Sequence, residues 1–160
     1  MKLIVVRHAI AEERDENRWP DDSQRPLTKE GRKSFVRAAR GLGRLVPEVG
    51  LVLSSPYTRA WDTALLLEQY AGWPPPQACD ELRGSPLEDV VRAIESHLEL
   101  KTVAIVGHEP HLGHLIGYLL SPSASISVGL KKGAAGAIDL SAAGGRLLWL
   151  LQPKALRLIA

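Results

Sequence analysis

Leu3-Ile4-Val5-Val6-Arg7-His8 and Val103-Ala104-Ile105-Val106-Gly107-His108 are the two stretches that decide how this chain is read. Each is a short apolar run that ends in a histidine. Runs of this kind suit strands buried on both faces of a parallel sheet. Ligands of such sheets sit outside the carboxyl ends of the strands. Neighbouring strands lie about 4.8 Å apart, so adjacency of these two would let both imidazoles meet one group, and the spacing predicts that they are neighbours. Arg7, beside the first histidine, indicates what that group is, because a guanidinium presents a rigid fork of donors that matches phosphate oxygens.

Working outward, the chain alternates strand and helix signals. Thr28 is the expected N-cap of a helix whose Phe35, Ala38, Ala39, Leu42 and Leu45 recur at helical spacing. The opposite face carries Arg32, Lys33, Arg37, Arg40 and Arg44, which is read as a solvated row. Leu51-Val52-Leu53 is a short buried strand leading into Ser54-Ser55-Pro56, where the proline suits the first turn of a helix that Gly72 and Pro74-Pro75-Pro76 stop. Ser85-Pro86-Leu87-Glu88 has the form of a capping box before an apolar stripe of Val90, Val91, Ile94 and Leu98. A strand over 102–106, a helix from about Pro110 to Leu120, a Ser-rich loop over 121–132 and a hairpin joined by Ser141-Ala142-Ala143-Gly144-Gly145 complete the pattern. The order predicts an α/β fold: a three-layer α/β/α sandwich with a mostly parallel central sheet, in a single domain over residues 1–160.

Composition narrows the function classes. Twenty basic residues against eighteen acidic ones leave a formal charge of +2 with no polybasic block, so nucleic acid is not the expected partner. A lone cysteine, Cys79, excludes an intrachain disulfide and a thiolate cluster, and is read as a small apolar filler. The apolar run after Met1-Lys2 stops at Arg7, and the stretch from Leu112 to Leu120 is broken by Gly113, His114 and Gly117, so neither a signal peptide nor a membrane span is read and a cytoplasmic location is expected. The acidic segment 12–22 lacks periodicity and is read as a solvated loop.

Four ordered blocks then carry a resemblance: Arg7-His8-Ala9, Leu27-Thr28-Lys29-Glu30-Gly31, Ser54-Ser55-Pro56-Tyr57-Thr58-Arg59-Ala60-Trp61-Asp62-Thr63-Ala64 and Gly107-His108-Glu109-Pro110. In kind and order they resemble the motifs of the histidine phosphatase superfamily, also called phosphoglycerate mutase-like. The short chain and Arg25-Pro26-Leu27-Thr28 look like its SixA-type phosphohistidine phosphatases. The resemblance implies that His8 attacks phosphorus and is transiently phosphorylated, that Arg7, Arg59 and His108 hold the nonbridging oxygens, and that water completes the hydrolysis. Positioning and charge stabilisation are most of what phosphoryl transfer needs. Two guanidiniums with a protonated imidazole supply them, so no metal or other cofactor is expected. His8 has to attack as a neutral imidazole, with its other nitrogen held by a backbone carbonyl.

One departure bears on the substrate. Relatives that act on phosphate esters commonly place a glutamate proton donor two residues after a mid-chain leucine, where Leu82-Arg83-Gly84 has glycine. An alkoxide leaving group needs an acid, whereas imidazole leaves with a near-neutral pKa. The expected partner is therefore a protein carrying phosphohistidine. The alternatives are a small-molecule phosphomonoesterase that uses Glu81 or Asp80 as acid, and a non-catalytic phosphate-binding module. Arg25 has two open readings, bridging the acidic loop to the body or touching substrate. His108, His111 and His114 recur every third residue, but the side chains of such a series drift around a helix and no carboxylate beyond Glu109 completes a metal set.

Overall fold

A computed structural model describes the chain except for residues 125, 127, 142 and 143, and at 141 it describes the backbone alone. The Ser-rich loop and the connection read at 141–145 therefore lie partly outside the described residues. Six strands form one sheet: β1 (Lys2–Arg7), β2 (Leu51–Ser54), β3 (Pro76–Ala78), β4 (Thr102–Gly107), β5 (Ala135–Ser141) and β6 (Gly144–Leu151), in the order β3-β2-β4-β1-β5-β6. From β3 to β1 the pairs are parallel, and β5 and β6 add an antiparallel hairpin at the other edge. The two histidine strands are neighbours, with Arg7 in register with Gly107.

Strand alternation divides the core into two layers. Ile4, Val6, Val52, Ala104 and Val106 face α1 (Lys29–Leu45), α2 (Thr58–Ala71) and α5 (Pro153–Ile159). Leu3, Val5, Leu51, Leu53, Val103 and Ile105 face α3 (Leu87–Glu95) and α4 (His111–Leu120). This is the expected sandwich. Thr28 caps α1, its side chain accepting from the Gly31 amide, and the row from Arg32 to Arg44 is exposed. Gly72 ends α2 in the left-handed region at φ 73°, which only glycine adopts without strain.

Several local expectations fail. The helix after Pro56 begins two residues later, at Thr58. Ser85 does not cap α3: Pro86 takes that position without a side-chain bond, so the capping box is not formed. The same helix ends at Glu95, which leaves Leu98 51% exposed and outside the apolar stripe. One strand and one α-helix were not anticipated. β3 is an edge strand opened by proline, where the missing N–H costs no ladder bond. α5 is too short to show a helical period, and it is anchored by the fully buried Leu156.

Candidate active site

The carboxyl ends of β1, β2 and β4 converge, and the ladder continues one residue past β1 and β2: the His8 amide donates to the Gly107 carbonyl at 3.0 Å and the Ser55 amide to the Val106 carbonyl at 2.9 Å. The backbone thereby fixes the roots of both histidines. Their ring centroids lie 5.2 Å apart at 54°.

His8 is 5% exposed. Its Nδ1 donates to the Ala9 carbonyl at 2.7 Å, so Nε2 carries the lone pair. Burial, then the charges of Arg59, Arg7 and Lys132, hold its pKa down at about 3, although the Ala9 bond pulls the other way. The ring is neutral at physiological pH, as a nucleophile requires. Ala9 is itself clamped. Its amide donates to Thr63 Oγ1 at 3.0 Å, and that hydroxyl donates to the Arg59 carbonyl at 2.7 Å.

His108 differs from expectation in its charge. Burial, followed by repulsion from His8 and Arg59, brings its pKa to about 3, so in the unliganded pocket it is neutral and not the protonated imidazole of the sequence reading. Its Nε2 lies 2.8 Å from Ser55 Oγ, and in the tautomer that accepts from that hydroxyl the Nδ1 carries a proton to donate. Tyr57 lies against the same ring at 5.1 Å and under the Arg59 guanidinium at 5.1 Å.

The two arginines are held by their outer nitrogens. Arg7 donates to the Leu130 carbonyl at 2.6 Å, and the Leu130 amide donates to Glu109 Oε1 at 2.9 Å. Arg59 is 6% exposed; it donates to the Asp22 carbonyl at 2.8 Å and pairs with the Asp22 carboxylate at 3.0 Å. Arg7 Nε, Arg59 Nε and His108 Nδ1 are buried without a partner among the described residues. Three orphaned donors, with the free Nε2 of His8 beside His108, suit a tetrahedral oxyanion that satisfies the donors while its centre faces the nucleophile.

Arg25 makes contacts of the bridging kind. Its Nε donates to the Asp22 carboxylate at 2.8 Å and its NH1 to the Glu12 carbonyl at 2.7 Å. Burial works to raise the Asp22 pKa, but Arg25 and Arg59 outweigh it and hold the carboxyl below its ordinary value. Glu81 is turned away from acid chemistry. Its own backbone amide and the Cys79 thiol hold the carboxylate below the ordinary range, and that thiol, 3.2 Å away, is pushed up to about 11 by burial and by Glu81. Asp80 is exposed and pairs with Arg83 at 3.1 Å. His111 Nε2 donates to the Ser85 carbonyl at 2.7 Å and His114 is exposed, so neither joins His108.

Asp22, Ser55, Thr63, Leu130 and Lys132 serve the site in ways that the sequence reading did not anticipate. Asp22 lies in a segment without periodicity, and Leu130 and Lys132 in one read only as a loop. Ser55 and Thr63 lie inside the second arginine block, where the side-chain partners depend on contacts distant in sequence.

A family model described as histidine phosphatase superfamily (branch 1) matches residues 3–86. An uncharacterized protein of Picosynechococcus sp. (strain ATCC 27264 / PCC 7002 / PR-6) is 32% identical over 151 residues, covering 92% of this chain and 88% of that protein. Among solved structures, the protein histidine phosphatase SixA complexed with tungstate is similar with a TM-score of 0.83 at 24% identity, over 98% of this chain and 99% of that one. The alpha-ribazole phosphatase of Shigella flexneri is similar with a TM-score of 0.71 at 19% identity, over 96% and 97%. At these identities the structural likeness is one of fold.

Proposed function

From the premise that the chain belongs to the histidine phosphatase superfamily, branch 1, and is a phosphatase, we propose that it is a SixA-type enzyme that removes phosphoryl groups from protein histidine in the cytoplasm. His8 Nε2 attacks phosphorus as the P–N bond to the substrate imidazole breaks. The departing imidazole takes a proton from solvent. Water then attacks the phosphorus of phospho-His8, releasing inorganic phosphate and returning neutral His8. Arg7, Arg59 and His108 stabilise the equatorial oxygens in both steps, and no metal takes part.

The observation that carries this reading is the set of three buried nitrogens without a partner among the described residues, Arg7 Nε, Arg59 Nε and His108 Nδ1, beside a histidine whose Nδ1 is already committed to Ala9. The choice of a phosphorylated nitrogen over an ester rests on Gly84 and on Glu81, whose carboxylate stays ionised and offers no proton to an alkoxide. Arg25 supports the pocket through Asp22 in this scheme.

The test offers a phosphohistidine protein and a panel of phosphate esters to wild type and to His8→Ala. Wild type is expected to turn over the phosphohistidine and to acquire acid-labile label, and the variant to do neither. Turnover of esters alone would refute the substrate assignment. An unlabelled wild type that binds phosphate would identify a non-catalytic module.

A further inference from the structure

A groove of about 460 Å³ lies beside the catalytic pocket, reached across the exit of β1. Arg7 and Ala9 line it, so it adjoins the residues that hold His8. Its apolar surface includes Phe35 and Pro153, together with Ile10, which is 46% exposed. The rim is cationic: Lys131, Lys132, Lys154 and Arg157 come from the turn before β5 and from α5. No aspartate or glutamate lines it among the described residues, in a chain whose basic and acidic residues are nearly balanced. Gln152 also lines this groove, and its buried Oε1 has no partner among the described residues.

These features together select an occupant. The rim favours carboxylates, and the floor favours an apolar side chain. Arg7 and Ala9 border both the groove and the nucleophile, so a chain segment flanking the phosphorylated side chain is the occupant placed to use it. We propose that the groove docks the polypeptide bearing the phosphohistidine, taking an acidic segment with one apolar side chain. The inference rests on the phosphohistidine reading. It adds a basis for choosing among proteins that all present the same phosphorylated imidazole.

Two phosphohistidine peptides test it, identical except that Glu-Leu-Glu flanks the phosphohistidine on both sides in one and Lys-Leu-Lys in the other. Free phosphohistidine reports the chemistry alone. Wild type is expected to show a KM about tenfold lower for the acidic peptide. Lys154→Glu combined with Arg157→Glu erases that preference and leaves turnover of free phosphohistidine unchanged. The milder Lys154→Ala reduces the preference and guards against misfolding of the double variant. Equal KM values for the two peptides in wild type, or a preference that survives both substitutions, would overturn the docking assignment. A wild type inert toward both peptides and toward free phosphohistidine would overturn the underlying substrate reading as well, and the two failures are thus distinguishable.

Discussion

Thr63→Val probes how the scaffold locks the nucleophile. The hydroxyl accepts from the Ala9 amide at 3.0 Å and donates to the Arg59 carbonyl at 2.7 Å. Both Thr63 and Ala9 are buried, so no water replaces the lost acceptor. Valine fills nearly the same volume but leaves the Ala9 N–H unsatisfied, which costs about 1–3 kcal/mol. For a chain of this size each kcal/mol lowers Tm by about 2–4 °C, so a fall of about 6 °C is expected. Activity suffers separately, because the Ala9 carbonyl holds the His8 ring in its tautomer. Loosening that residue is expected to lower kcat about tenfold, equivalent to about 1.4 kcal/mol of transition-state stabilisation. The assay pairs thermal denaturation with phosphohistidine turnover and uses Thr63→Ser as control, since serine keeps the hydroxyl and loses a methyl. A valine variant that melts with the serine variant and turns over like wild type would refute the idea that this bond positions His8.

Three further predictions concern charge and packing. His8 and His108 have folded pKa values of about 3 against an ordinary 6.5, so the unfolded chain binds more protons between those values and stability falls as pH drops through that window. Each imidazole contributes up to about 1.4 kcal/mol per pH unit. Thermal melts from neutral pH to about pH 5 are expected to show the loss, and His8→Asn with His108→Asn to flatten it; an unchanged slope in that variant would assign the acid lability elsewhere. Arg59→Lys keeps one charge but cannot hold both Asp22 contacts and an oxyanion, so kcat/KM is expected to fall about 100-fold; wild-type kinetics in this variant would show that the guanidinium fork is dispensable. Gly31→Ala places a Cβ 2.1 Å from the Ile10 carbonyl oxygen, and the displacement of α1 or of the β1 exit is expected to cost about 1–3 kcal/mol in chemical denaturation.

Much of the fold is written in local pattern. Buried strands are continuous apolar runs, and the cap at Thr28 and the stop at Gly72 are determined by backbone chemistry within a few residues. Where local signals are short or compete, tertiary packing wins. Ser85 has the right spacing for a capping box, yet Pro86 takes the cap and the Ser85 carbonyl serves His111 instead. α5 depends on the burial of Leu156.

For the site the division follows reach along the chain. Arg7, His8, Arg59 and His108 could be picked out by residue type, strand-end position and family resemblance, because each stands where a parallel sheet presents its ligand edge. The neutral state of His8 was also expected from its role as nucleophile, but that of His108 was not. Neutral His108, the Asp22 clamp on Arg59, the Thr63 bond to Ala9 and the cationic groove all arise from segments distant in sequence. Desolvation and Coulomb interactions depend on what surrounds a group in space. The sequence by itself determined which residues meet at the sheet edge and that the nucleophile is neutral; only the tertiary structure decided that His108 is neutral too and which buried donors lack a partner among the described residues.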